Sequence, residues 1–226
     1  MIKKFVDGRT DLVFELLRNG YKANSIDDHG TPLIKWCAYY GDVSAIKYLL
    51  ANGADITLLG MNFDLNGAVF HDHWQLVQFL LENGADPNLP LEDTAETPLH
   101  SATSRGKNPV TMHIVKLLLA AGANPNTQTK ERVETGSFMR DAYTRGETPL
   151  HRAAAFCSDE VIQLLVDSGA DVTIRDQYGD TPLSYASWYG RSGKILSLLC
   201  FGSHSIHPER IKGANMDTFL MGRPHL

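Results

Sequence analysis

Val161, Ile162, Leu164, Leu165 and Val166 fall at the spacing of one apolar helix face, and Gly169 closes the run. The same pattern recurs at residues 76–81 ahead of Gly84, and Gly53 and Gly122 close two further runs. Before each such helix the chain predicts a shorter one. Leu33, Cys37 and Ala38, or Leu150, Ala153 and Ala154, form a small-residue face on which a neighbour packs closely, and Gly41, Gly106 or Gly190 ends it. Helices this short cannot bury an apolar face alone, so the pairs must stack into a shared core.

Thr-Pro-Leu opens the shorter helices at Thr31, Thr97, Thr148 and Thr181, and Gly-Ala-Asp or Gly-Ala-Asn follows the longer ones at Gly53, Gly84, Gly122 and Gly169. Each threonine hydroxyl can cap a helix N-terminus while the proline takes the first helical position, where its missing N–H costs nothing. Asp55, Asp86, Asn124 and Asp171 then open turn-rich connections. Thr148 and Thr181 are 33 residues apart, and Thr31 and Thr97 are 66 apart, which leaves room for a degenerate unit at 61–88 that keeps only its second half. Thr97 to Thr148 spans 51 residues, an excess of 18, of which fourteen lie between Asn126 and Gly146. Leu16, Leu80 and Leu118 each stand eight residues before an asparagine, Asn24, Asn88 and Asn126, a spacing the repeat itself produces.

The run Glu147-Thr148-Pro149-Leu150-His151-Arg152-Ala153-Ala154, then Leu164-Leu165-Val166-Asp167-Ser168-Gly169-Ala170-Asp171, then Asp176-Gln177-Tyr178-Gly179-Asp180-Thr181-Pro182-Leu183, resembles the ankyrin-repeat family. The resemblance covers the chain from about Ile2 to Gly202. It implies an all-α fold, an ankyrin-repeat solenoid of about five stacked helix-turn-helix units with hairpin-like fingers. The domain is expected at 1–202, in units of about 1–29, 30–60, 61–92, 96–126, 147–179 and 180–202, with a long finger insertion at 127–145. The tail at 203–226 is expected to fold back as a cap on the stack, with a place along the concave face as the alternative. The chain departs from the family pattern in the missing Thr-Pro-Leu at Asn62 to Asp64, an extra residue before Gly41, the insertion before Gly146 and the tail.

At 226 residues and 43% hydrophobic content the chain can bury a sizeable core. No apolar run reaches membrane-spanning length and the N-terminus is too short in apolar residues for a secretory signal, so a cytoplasmic location is expected. Cys37, Cys157 and Cys200, with no metal-like spacing, are expected as buried reduced thiols. The net charge of −5 argues against a nucleic-acid partner. Asp27, Asp28, Glu92, Asp93, Asp176 and Asp180 fall at the finger tips. They would suit a partner with a basic patch, although aspartate also serves such turns by bonding their backbone.

Candidate chemistry is sparse. His71-Asp72-His73 is a tight histidine pair, but residues two apart on a helix face different ways and no third ligand is visible. For His100 and His151 the resemblance implies structural hydrogen bonds between neighbouring turns. Phosphate loops, nucleophile elbows and paired-carboxylate motifs are absent from the sequence, and no cofactor or metal is expected.

The resemblance also implies where recognition occurs, on the two residues before the glycine that ends each first helix. These are Tyr39 and Tyr40, Phe70 and His71, Ser104 and Arg105, Ala155 and Phe156, and Trp188 and Tyr189. Six of the ten are aromatic against 9% in the whole chain, so aromatics concentrate where hot-spot residues are wanted. Some of them, Tyr39 and Trp188 above all, could instead serve as packing residues. The insertion reads as a long loop without secondary structure of its own, in which Phe138, Met139, Arg140 and Tyr143 stand in a polar setting; Arg140 and Tyr143 are expected as further contacts, and a passive, partner-free excursion is the alternative. The expected function is a non-enzymatic, monomeric protein-interaction module, an adaptor or a stoichiometric inhibitor such as a toxin-neutralising or effector-like protein. The alternative is an enzyme or metal-binding protein on an ankyrin scaffold, with His71, His73 and the cysteines as its candidate residues.

Overall fold

The structure, a computed structural model, describes residues 2–106, 108–138 and 142–201. Arg140, Met139 and the tail at 203–226 lie outside the described residues. The chain divides into two compact units, the first ending at Asp86 and the second beginning at Pro87. In the first, short helices α1 (Ile2–Val6) and α2 (Val13–Arg18) precede the pairs α3 (Leu33–Tyr39) with α4 (Val43–Ala51) and α5 (Leu65–Phe70) with α6 (Trp74–Glu82). In the second, α7 (Pro98–Thr103) pairs with α8 (Pro109–Ala120), α9 (Pro149–Phe156) with α10 (Asp159–Asp167) and α11 (Pro182–Trp188) with α12 (Gly193–Leu199). The apolar positions read from the sequence form the cores: Leu33, Cys37, Ile46, Leu49, Val77 and Leu80 in one unit, Leu150, Ala153, Val161, Ile162 and Leu165 in the other.

The repeat motifs act locally as their chemistry requires. Thr97, Thr148 and Thr181 occupy the cap positions of α7, α9 and α11 with proline following. The third helical residue accepts the cap's N–H, through His100 Nδ1 at 3.1 Å, His151 Nδ1 at 3.1 Å and Ser184 Oγ at 3.4 Å. At the other end, Gly53, Gly84, Gly122 and Gly169 take φ of +88° to +94°. The alanine after each donates back across the last turn, as Ala54 N does to Leu49 O and Ala170 N to Leu165 O, and Ala85, Ala123 and Ala170 are buried. Gly-Ala is thus a left-handed stop followed by an apolar contact.

The first Thr-Pro-Leu behaves differently. α3 begins at Leu33, with Pro32 in the cap position. Asp27 N donates to Thr31 O and Thr31 N to Asp27 Oδ1, the same bonds that join Asp176 and Asp180. Thr31 therefore stands where Asp180 stands, and from Asp27 to Gly41 the segment runs 149 residues ahead of Asp176 to Gly190. The motif is one residue out of frame, which accounts for the extra residue before Gly41.

Asparagine amides join successive turns. Asn88 Nδ2 donates to Gly122 O at 2.8 Å and its Oδ1 accepts from Asn124 N at 2.7 Å; Asn24 does the same with Gly53 and Asp55, and Asn126 with Gly169 and Asp171. The degenerate unit has Thr57 at that position, and Asn62 substitutes, bonding both backbone groups of Asp86 at 2.8 and 2.7 Å. To reach there, Asn62, Phe63 and Asp64 adopt φ of 51°, 52° and 59°, left-handed backbone that costs on the order of 1–2 kcal/mol per residue.

The insertion corrects the all-α expectation. It forms an antiparallel hairpin of β1 (Glu131–Thr135) and β2 (Ala142–Arg145), with Glu134 opposite Tyr143 and Thr135 opposite Ala142. A bulge lies between Glu131 and Glu134, where Arg132 takes φ +58°. Both edges are tied at the base, Lys130 N to Thr94 O and Gln177 N to Arg145 O, each at 2.8 Å. Instead of a loop without secondary structure, the insertion is a sheet built onto neighbouring turns.

Candidate functional site

In the first unit Tyr39 and Tyr40 end α3 and remain 53% and 38% exposed. Tyr39 meets Tyr40 edge-on at 5.0 Å and His71 at 5.3 Å, and half-buried Phe70 meets His71 at 5.2 Å. His71 and His73 stack at 5.8 Å. They do not share a helix, contrary to the sequence expectation: Asp72 between them takes φ +59°, and this turn between α5 and α6 brings the rings together. His73 Nε2 is 2.9 Å from Tyr39 O. Gly41, at φ +69°, lets that ring in, since a Cβ there would stand 2.6 Å from it. Tyr40 has a structural tie as well, its Oη donating to Val6 O at 2.8 Å.

In the second unit the equivalent positions turn further inward. Ser104 Oγ donates to His100 O and accepts from Arg152 Nη1, and Arg105 is half-buried. Half-buried Phe156 lies between Phe138 of the insertion at 5.4 Å and Tyr189 at 5.2 Å. Trp188 stacks on Tyr185 at 5.2 Å. Tyr143 is 38% exposed.

Beneath this face lies a charged cluster absent from the sequence expectations. Arg152 is fully buried, 2.6 Å from Glu96 and 2.5 Å from Glu147. Glu96 accepts from Thr135 Oγ1 at 2.7 Å and Ser137 Oγ at 2.8 Å, both from the insertion, while Glu147 accepts from Thr129 Oγ1 and Arg145 N. The Phe138 ring covers the guanidinium at 4.9 Å. Burial alone would raise the Glu147 carboxyl, but Arg152 and the Arg145 N–H hold it at about 2. Burial, aided by Arg152, pushes His100 down to about 4. A signal was present: Glu-Thr-Pro-Leu-His occurs both at Glu96 and at Glu147, on either side of the insertion.

Three of the six finger-tip acids are largely withdrawn from solvent. Asp27, Asp176 and Asp180 are buried, and Asp27 and Asp176 each hold the N–H groups of their own turn. Asp28, Glu92 and Asp93 remain exposed. Cys37 and Cys157 are buried, burial pushing both thiols up to about 12, whereas Cys200 is exposed, against expectation. His100 and His151 direct Nε2 to Glu147 O and Asp180 O at 3.2 Å, the link between turns that was expected. Among the described residues no helix is long and apolar enough to cross a membrane.

Paired helices with glycine stops, amide-linked turns and an aromatic row at the helix ends define a helical repeat protein. The chain belongs to the ankyrin-repeat family, whose model "Ankyrin repeats (3 copies)" matches residues 5–90, 65–176 and 113–210. Repeats of this family serve as protein-interaction modules and are generally non-enzymatic. The chain is similar to Ankyrin repeat and SOCS box protein 3 of Homo sapiens, 31% identical over 191 residues that cover 82% of this chain and 33% of that one. It is similar to B-cell lymphoma 3 protein homolog of Mus musculus, 29% identical over 84% of this chain and 39% of that one. To Palmitoyltransferase ZDHHC13 of Mus musculus it is 26% identical, over 76% of this chain and 31% of that one. The chain thus spans roughly a third of the length of these curated relatives.

Proposed function

We propose that this chain is a non-enzymatic module that binds a partner protein through the aromatic residues ending the first helix of each pair, as an adaptor or a stoichiometric inhibitor. Tyr39 carries the proposal: a large aromatic left more than half exposed at 53%, flanked by exposed His71. Aromatic side chains of this kind supply hot-spot energy. Phe70, Phe156, Trp188 and Tyr189, half-buried, and exposed Tyr143 complete the contact set, to which Ser104, Arg105 and Tyr40 are assigned with them. Asp28, Glu92 and Asp93 favour a basic patch on the partner. The module comprises about five units within 1–202 with the tail at 203–226 as its cap, acts as a monomer in the cytoplasm, and binds neither nucleic acid nor membrane. For the alternative, an enzyme or metal protein, the palmitoyltransferase likeness lends no catalytic residue, and His73 already engages the Tyr39 carbonyl.

Affinity capture with the full chain as bait, followed by binding measurements on two variants, tests this. Tyr39→Ala should weaken partner binding by about 1–3 kcal/mol with an unchanged melting temperature. Tyr40→Phe should instead lower stability by about 1 kcal/mol through loss of the Val6 bond. Undiminished binding by Tyr39→Ala would remove the aromatic row from the interface.

A further inference from the structure

Arg145 in the second unit sits in a cage that the first unit repeats without an arginine. Its guanidinium carbon lies 4.5 Å from the Tyr178 ring centre, 5.6 Å from Tyr185 and 5.9 Å from Trp188. Its Nε is 3.1 Å from Asp176 Oδ2, which also accepts from Tyr185 Oη at 2.9 Å, and its Nη2 is 3.6 Å from Asp180. In the frame established by the finger bonds, Asp27 corresponds to Asp176, His29 to Tyr178, Trp36 to Tyr185 and Tyr39 to Trp188, each 149 residues earlier.

The carboxylate is held the same way. Asp27 Oδ1 accepts from the N–H groups of His29 and Thr31, and Oδ2 from Trp36 Nε1 at 2.9 Å. Asp176 Oδ2 faces two donors, Tyr185 and Arg145, whereas Asp27 Oδ2 has only Trp36 among the described residues. The rings are more open: Trp36 and Tyr39 stand 6.0 Å apart at 79°, a corner, where Tyr185 and Trp188 stack at 30°. Tyr185 is fully buried, while Trp36 is half-buried and Tyr39 mostly exposed. No lysine or arginine among the described residues lies over Trp36 or Tyr39.

We infer that the corner of Asp27, Trp36 and Tyr39 receives an arginine side chain of the partner protein, an inference that rests on the protein-binding function proposed above. A guanidinium is planar, permanently charged and weakly hydrated, so it can stack on an indole or phenol face while one N–H donates to a carboxylate. Lysine's compact, strongly hydrated ammonium satisfies the carboxylate but gains less from two aromatic walls. The chain applies this recognition to itself at Arg145.

The test needs no partner. The 226-residue chain labelled with nitrogen-15 is titrated with N-acetyl-arginine methylamide, its lysine analogue and its neutral citrulline analogue. The readout is the indole N–H resonance of Trp36, identified by its loss in Trp36→Phe. Arginine should shift the signal saturably and several-fold more tightly than lysine, and citrulline should leave it in place. Tyr39→Ala, melting as the parent does, should weaken the arginine response several-fold. No arginine response, or an equal one to citrulline, overturns the site; a tighter lysine response overturns the arginine assignment. A partner lost in Tyr39→Ala while the indole ignores arginine would refute this site and leave the interaction function standing. An intact indole response with no effect of Tyr39→Ala on partner binding would refute the aromatic-row interface instead.

Discussion

Arg152 has no exposed surface, and two carboxylates surround its single positive charge. The surplus negative charge is dispersed over the hydroxyls of Thr129, Thr135 and Ser137 and the N–H of Arg145. A buried cluster of this kind tolerates the loss of a member poorly, because the remaining ion is left without compensation. It also makes the fold sensitive to acid. The Glu147 carboxyl falls from its ordinary 4.5 to about 2, so its contribution is complete above 4.5 and disappears as pH drops towards 2. His100 falls from 6.5 to about 4 and His151 is also lowered, both through burial, so the folded state favours neutral rings and loses stability as pH falls through 6.5. All three act in the same direction. The urea midpoint should stay level near about pH 7.5 and decline from about pH 6.5 downward, steepening once the carboxylate range is reached. A midpoint unchanged between about pH 7.5 and about pH 5 would contradict the assignment.

Among the elements, the inserted hairpin is the one whose role the structure changes. A loop of modest closure entropy could be shortened at little cost. This one supplies Thr135 and Ser137 to Glu96, and removing both hydroxyls in Thr135→Val with Ser137→Ala should cost about 3 kcal/mol in urea unfolding, since bonds to charged groups are the strong ones. A loss below about 0.5 kcal/mol would return the hairpin to a passive excursion. The helix pairs, their glycine stops and the caps at Thr97, Thr148 and Thr181 are legible in the sequence because each depends on neighbours within one or two turns. The hairpin's anchors reach across 39 and 41 residues, a distance over which local pattern carries no information. The frame shift at Thr31 likewise emerges only from the bonds of Asp27. Of the aromatic row, the positions were legible but not their exposure. Val6 engages Tyr40, and Phe138 packs on Phe156, through contacts distant in sequence.

Helices pair both with their neighbour in sequence, α3 with α4, α5 with α6, α7 with α8 and α11 with α12, and with the matching helix of the next repeat, α7 with α9 and α9 with α11. The charged cluster belongs to the long-range set within the second unit, with Arg152 bonded to Ser104 across 48 residues and Thr135 to Glu96 across 39. Short-range pairings close quickly, while distant ones wait for loop closure. The guanidinium is therefore expected to shed its water only after α7, α9 and the hairpin have met, late in folding. Replacing Arg152 by Met should then accelerate unfolding and leave the refolding rate nearly unchanged, a φ-value close to zero. A refolding rate that slows in proportion to the lost stability would instead put the cluster in the nucleus. If the cluster forms late, the second unit is held by a kinetic lock: its lifetime in the folded state, more than its speed of folding, is set by one desolvated arginine.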